Sequence, residues 1–390
     1  MAAMELKSSA KDHLVELVSE LTDLVGNAQP VAKSGYPTAC WSTNSEDVNV
    51  ALAVIRAAAS SIHDGVTRFN LVYKSDPGEA ASESMAKEMG GFCQRMVSSL
   101  TLLSSVGASK AMVGYYSAGV RAVLHSFKDL VEALLDPSRH SQLNSLTGMV
   151  WQTCKELQQA PKTNKLACRR QMMQWSVAMK DTIDEFHEAA KSAAAANADK
   201  PDATEGSTGV ASLNDKFDGL GVGGEGVEEG GDFDDDFGGM DEDYSPSELR
   251  CVEASVDVLR VFRRCLKAAN DSLNTLDSPQ TPGDGGSAAE SKGEGRLKEM
   301  LEWAQALQSC LDEANECAGE LGFLLYPPLS RGDLTGRADD MEQSLLAFCD
   351  VFKRCAEGAQ VGGGAGGEQS PLRKAVEEKW GVLRAGLAQL

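Results

Sequence analysis

Residues 149–190 read MVWQTCKELQQAPKTNKLACRRQMMQWSVAMKDTIDEFHEAA and carry the strongest helix pattern in the chain. Pro161 divides this stretch, because its ring and its missing N–H interrupt the hydrogen-bond ladder of a helix. The first helix carries Trp151 and Cys154 on one face. The second begins near Thr163 and repeats apolar side chains at successive gaps of 4, 3, 4, 4, 3 and 4 residues. Its apolar positions are Cys168, Met172, Trp175, Met179, Ile183, Phe186 and Ala190. We therefore predict an antiparallel helix pair with aromatic and Met-rich inner faces and no catalytic group.

The same helical spacing recurs on both sides of this pair. Four earlier helices are predicted over residues 4–25, 46–73, 82–106 and 109–135, with Ser45 as the cap of the second. Four later helices are predicted from residue 246, from 297 to 325, over 336–356 and over 371–390. A loop is predicted over 277–294, and Ser245-Pro246-Ser247-Glu248 has the form of a capping box. The pattern indicates no strand.

An acidic, glycine-rich segment separates the two groups of helices. Residues 214–244 contain twelve acidic residues and one lysine, about half of the net charge of −21 for the whole chain. Such a composition buries too little apolar surface to offset the entropy of ordering, so we expect disorder. The predicted fold class is therefore all-α: two antiparallel helical bundles, residues 1–194 and 246–390, joined by a disordered acidic linker over residues 195–245.

Several short strings in this chain resemble the cyclin-D1-binding protein 1 (GCIP) family. They are Val150-Trp151, Cys154, Pro161, Asn164-Lys165, Lys180-Asp181 and, much later, Leu325-Tyr326-Pro327-Pro328. The acidic segment between them is also similar to that family. The resemblance implies an all-helical, non-enzymatic interaction protein. Such a protein would bind D-type cyclins and helix-loop-helix transcription factors and would act as a negative regulator of cell-cycle progression.

Composition limits the classes of function open to the chain. The strong negative charge repels phosphate groups, which argues against direct nucleic-acid binding and against anionic membrane surfaces. Ten cysteines without a recognisable leader in MAAMELKSSA indicate reduced thiols in the cytoplasm or nucleus. No run of 18 apolar residues is present, so no membrane span is predicted.

The motifs that suggest catalysis or cofactor binding have simpler explanations. The GxGxxG string at residues 221–226 lies in the acidic segment without the strand and helix that a dinucleotide site needs. Asp184 and His187 lie one turn apart, but no second E-x-x-H helix completes a di-iron site. The cysteine spacing does not fit a zinc site, and no nucleophile elbow occurs. We predict no catalytic residue, no cofactor and no metal.

Two groups of charged residues are candidates for partner binding. Lys162, Lys165, Arg169 and Arg170 cluster at the start of the central helix and form either a solvated face or an acceptor for acidic segments. Within the linker, aromatic and acidic side chains alternate in a way typical of disordered recognition segments, although a solubilising spacer explains them too. These linker residues are Asp232, Phe233, Asp234, Asp235, Asp236 and Phe237.

Four hydroxyl residues precede proline and are candidate phosphorylation sites: Ser245, Ser278, Thr281 and Ser370. Ser245 and Ser370 are equally well explained as helix caps, and a phosphate at a helix N-terminus would be compatible with either role.

As an alternative to the cyclin-binding function, long heptad helices are also typical of vinculin- and catenin-like adaptors of the cytoskeleton or of trafficking.

Overall fold

A computed structural model describes residues 8–28, 41, 44–75, 78–198, 244–275, 288–359 and 371–390. Within these ranges the chain forms ten α-helices, a short 3₁₀ turn at Pro137–Gln142 and no strand, which confirms the all-α prediction. The helices are α1 Ser8–Asn27, α2 Glu46–Lys74, α3 Glu79–Ser105, α4 Lys110–Leu135, α5 Leu143–Gln158, α6 Asn164–Ala198, α7 Pro246–Thr275, α8 Ala288–Leu324, α9 Arg331–Ala359 and α10 Pro371–Leu387.

Helices α1 to α5 pack around one apolar core. Arg68 of α2 pairs with Glu88 of α3 at 2.8 Å, and Asn70 donates to Thr147 of α5 at 2.9 Å. The core itself is built from fully buried aromatic and branched side chains, with the rings of Phe69 and Phe127 meeting edge to face at 5.2 Å. The predicted cap of α2 is confirmed, since the Ser45 hydroxyl accepts from the Val48 N–H.

Helices α7 to α10 form an up-down-up-down bundle. Asp257 of α7 pairs with Lys379 of α10 at 2.9 Å, and the Trp380 indole of α10 donates to the Ala338 carbonyl of α9 at 2.8 Å. The Trp303 indole of α8 donates to the Val351 carbonyl of α9 at 2.7 Å. A second contact on each pair gives the direction: Arg250 of α7 donates to Gln389 just after α10, and the two other pairs are joined by Arg373–Asp350 and Arg337–Glu320. Positions that rise along one helix fall along its neighbour, as expected for an antiparallel bundle.

Helix α6 does not pair with α5, and here the predicted antiparallel pair is wrong. The structure places α5 against α2 and α4, whereas α6 runs antiparallel along α7 and touches α4 and α8. Arg169 of α6 donates to Asn270 of α7 at 3.0 Å, and Arg263 of α7 donates to Ser176 of α6 at 3.3 Å. These two bonds define the register of the pair. Six of the seven residues of the predicted apolar stripe are nevertheless buried and Trp175 is half-buried, because periodicity defines which face is covered and not which helix covers it.

Two other expectations concern segment boundaries. The predicted loop over 277–294 ends early, since α8 already begins at Ala288 despite Gly293 and Gly295. The predicted linker lies mostly outside the described residues, in 199–243. The domain boundaries at 194 and 246 stay a prediction. Helix α6 belongs to the first predicted domain, but it packs most extensively against α7, which belongs to the second.

Candidate protein-binding surface

Asn164, at the start of α6, ties that helix to the loop between α3 and α4. The Ser109 N–H donates to the Asn164 side-chain oxygen at 2.6 Å, and the Asn164 amide nitrogen donates to the Gly107 carbonyl at 3.2 Å. All three residues are buried, so their polar groups depend on each other in place of water. Gly107 has a φ of 100°, which side chains rarely adopt, and this explains a glycine at the turn.

Lys165 and Arg169 face α7 rather than solvent. The Lys165 ammonium, in a residue only 7% exposed, donates to the Asn274 carbonyl in the last turn of α7 at 3.4 Å. Because α7 is antiparallel, its carbonyl end lies beside the start of α6, and this partial negative charge favours cations there. The four basic residues proposed as an acid acceptor therefore do not form one exposed patch. Their role in partner binding stays a prediction.

The two remaining basic residues, Lys162 and Arg170, are exposed. The Arg170 guanidinium donates to the Gln159 carbonyl at the end of α5, at 3.3 Å. Arg170 also lies between exposed apolar side chains on the solvent side of α6. We name this row the outer stripe, and it consists of Leu166, Arg170, Met173 and Val177.

The outer stripe has a helical spacing of its own, with gaps of 4, 3 and 4 residues. Its three apolar members are 49%, 47% and 60% exposed, on the face of α6 opposite its buried stripe. Scattered exposed apolar residues are ordinary, but an aligned row on one helix is typical of a protein-binding surface. The sequence analysis missed this row because the buried stripe dominates the pattern, although the spacing of Leu166, Met173 and Val177 was visible.

The later string, Leu325-Tyr326-Pro327-Pro328, packs against the far part of the same helix. The Tyr326 hydroxyl bonds to the Glu185 carboxylate of α6, and its ring lies 5.2 Å from that of Phe186. The bond to Glu185, followed by burial, raises the pKa of Tyr326 to about 12. On the other side, the Tyr244 hydroxyl donates to the Leu325 carbonyl at 3.0 Å. Two of the strings that resemble the family, Asn164-Lys165 and Leu325-Tyr326-Pro327-Pro328, thus make contacts that hold α6 in place.

Ser245 is confirmed as the cap of α7. Its hydroxyl accepts from the Glu248 N–H at 3.3 Å, and its own N–H donates to the Glu248 carboxylate at 2.8 Å, which completes a capping box. The second Glu248 oxygen accepts from the Leu329 N–H at 3.0 Å. Burial raises the pKa of Glu248, but these N–H donors outweigh it and leave the pKa below its usual value. Phosphorylation of Ser245 stays a prediction.

The other predicted sites lie outside the described residues. This applies to the linker residues Asp232 to Phe237, to the phosphorylation candidates Ser278, Thr281 and Ser370, and to the GxGxxG string.

The described part of the chain contains no group of three His, Cys, Asp or Glu side chains that could hold a metal ion. In the segment considered for a di-iron site, the Asp184 carboxylate lies 3.9 Å from the Lys180 ammonium, and the neighbouring Glu185 carboxylate accepts from the Tyr326 hydroxyl. Burial raises the pKa of the Cys154 and Cys168 thiols to about 12, which is the opposite of what a nucleophile needs. None of the described helices is long and apolar enough to cross a membrane.

Part of the chain matches the model of a known protein family. Residues 54–192 match the family model described as GCIP_N: Grap2 and cyclin-D-interacting, N-terminal. The match begins at residue 54, in the first third of α2, ends within α6 and contains the outer stripe. It confirms the resemblance drawn from the short strings. No curated protein sequence matches the chain.

Proposed function

From the match of residues 54–192 to a cyclin-D-interacting family, we propose that this chain is a non-enzymatic interaction protein that binds D-type cyclins. The proposal includes binding of helix-loop-helix transcription factors, negative regulation of cell-cycle progression, and residence in the cytoplasm and nucleus. The observation that carries it is the family match. The helical architecture is compatible with an interaction protein but does not by itself define a function.

The outer stripe is the surface that we assign to the cyclin. It lies inside the matched region, and its apolar members are exposed on a helix whose opposite face is already buried. Amphipathic helices commonly bind by placing such spaced anchors in a groove of the partner. Arg170 in the centre of the row would add a charged contact, and arginine is common at the strongest positions of interfaces.

Purified full-length chain and a purified D-type cyclin test this assignment directly. We expect the double substitution Met173→Ser and Val177→Ser to weaken the complex by about tenfold or more, because two of the three apolar anchors are lost. Leu71→Ser on α2 is the matched control, since Leu71 is 61% exposed in the same matched region but lies away from the outer stripe. Its affinity should stay within about twofold of the unsubstituted chain.

The outcomes separate the surface from the function. A complex that forms equally well with the double variant would place the interface elsewhere. A purified chain that binds no D-type cyclin would overturn the proposed function itself. Circular dichroism is expected to be unchanged in all variants, because the substituted side chains are exposed.

A vinculin- or catenin-like adaptor is the alternative proposal. It is supported by the up-down-up-down packing of α7 to α10, an architecture that many unrelated functions share. Co-sedimentation of the full chain with actin filaments, in the absence of any cyclin, would favour this alternative.

A further inference from the structure

The α8–α9 pair leaves a groove on its solvent side. Two adjoining clefts, of about 580 and 620 Å³, share Glu320, Arg337 and Asp340 and together run along both helices. We name them the hairpin groove, defined by Glu313, Glu316, Glu320, Phe323, Arg337 and Asp340. From Glu313 to Phe323 the groove follows α8 for about 15 Å, at 1.5 Å of rise per residue, which is roughly three helical turns.

The hairpin groove has a surplus of negative charge. Its walls carry the carboxylates of Glu313, Glu316, Glu320, Asp333 and Asp340 against one guanidinium. That guanidinium, of Arg337, already pairs with Glu320 at 2.7 Å and with Asp340 at 3.4 Å. Burial raises the pKa of the Cys317 thiol in the same wall, and the nearby Asp340 and Glu320 carboxylates raise it further. The groove therefore favours a cationic occupant.

One end of the groove is apolar and open. Phe323 is 80% exposed, and this is the most exposed of the large hydrophobic side chains in the described part of the chain. Opposite it, Gly332 and Gly336 of α9 have no neighbouring atom within 4 Å of where a Cβ would stand. Because these two glycines carry no side chain, the space opposite Phe323 is open, and an apolar side chain of a partner can lie against the Phe323 ring.

The chain itself does not supply a suitable cationic segment. Outside the described residues it contains four lysines and no arginine, and the lysines are scattered at Lys7, Lys33, Lys200 and Lys216. A small metal ion is also a poor fit, because no group of carboxylates in the described residues is close enough to ligate one. The occupant must therefore come from another molecule that carries dense positive charge and an apolar anchor.

We propose that the hairpin groove docks a basic amphipathic helix of a partner protein, about three turns long. Its lysine and arginine side chains would face Glu313, Glu316 and Asp340, and one apolar side chain would pack on Phe323. This surface belongs to the C-terminal helices, outside the region matched by the cyclin-D-interacting family. The proposal stands whether or not the chain binds a cyclin.

The test uses the full chain and a synthetic 18-residue helical peptide with lysines on one face and a leucine pair on the other. Binding is measured by fluorescence anisotropy at physiological ionic strength. We expect Glu316→Lys and Phe323→Ser each to weaken binding by about tenfold. The matched controls are Glu378→Lys and Val382→Ser on α10, an exposed acid and a 52% exposed apolar residue outside the groove. Both controls should bind within about twofold of the unsubstituted chain.

Three results would overturn the proposal. The first is that the anisotropy of the labelled peptide does not change when the unsubstituted chain is present in 100-fold excess over the peptide. The second is an equal loss in groove and control variants, which would mean unspecific attraction to a chain of net charge −21. The third is a loss for Glu316→Lys without a loss for Phe323→Ser, because charge alone would then explain the binding. All four substituted side chains are exposed, so folding should be retained in every variant.

Discussion

Replacing Asn164 with alanine is expected to destabilise the fold, because its side chain satisfies two buried backbone groups at once. The Ser109 N–H and the Gly107 carbonyl would both lose their partner, and Ser109 and Asn164 are 1% and 0% exposed. A buried polar group without a partner costs roughly 1–3 kcal/mol, so two such groups predict a loss of about 2–4 kcal/mol once partial relaxation is allowed. With a urea dependence of roughly 1–3 kcal/mol per molar, the unfolding midpoint should fall by about 1 M.

Asn144→Ala provides the control for this measurement. Asn144 is exposed and only accepts a bond from the Lys74 ammonium at 3.1 Å, so its removal should cost less than about 0.5 kcal/mol. Urea unfolding followed by circular dichroism compares both variants with the unsubstituted chain. If Asn164→Ala were as stable as Asn144→Ala, the two buried bonds would not support the start of α6, and the reasoning would be refuted.

Two further predictions concern the C-terminal helices. Glu248→Gln should lower the melting temperature at pH 7. Because the pKa of Glu248 in the folded chain lies below the ordinary 4.5, the difference in melting temperature between the two chains should persist above pH 4.5 and shrink as the pH falls further. A constant difference down to pH 3 would contradict this prediction. Trp380→Ala should cost about 3–5 kcal/mol, because the indole is fully buried and donates to the Ala338 carbonyl, whereas Trp151→Ala, at 41% exposure, should cost about 1 kcal/mol in the same urea titration.

The elements of this fold were largely predictable because their signals are local. Helix periodicity identified ten helices, and the capping residues Ser45 and Ser245 were predicted from the side-chain types that satisfy free N–H groups at a helix start. The buried face of α6 was also correct, as Met172, Ile183 and Phe186 show. Each of these predictions needs only residues within a few turns of each other.

The pairing of α6 could not be predicted in the same way, since it depends on contacts between residues about a hundred positions apart. Lys165 and Arg169 were interpreted as a basic face because nothing nearby neutralises them in the sequence. In the fold, the end of α7 supplies Asn270 and Asn274 as their partners. The outer stripe lies opposite the predicted buried face of α6, so its position follows from periodicity, and the fold adds how far its apolar side chains are exposed.

The antiparallel pairing of α6 and α7 has a consequence for the integrity of the chain. With the register set by Arg169–Asn270 and Arg263–Ser176, the last turns of α6 lie beside the first turn of α7. The described chain therefore stops at residue 198 and resumes at residue 244 at the same end of a helix pair that is held together by its own contacts. A single proteolytic cut in that segment should leave two fragments that remain associated. The same position is accordingly suited to splitting the chain into two separately expressed halves that reassemble.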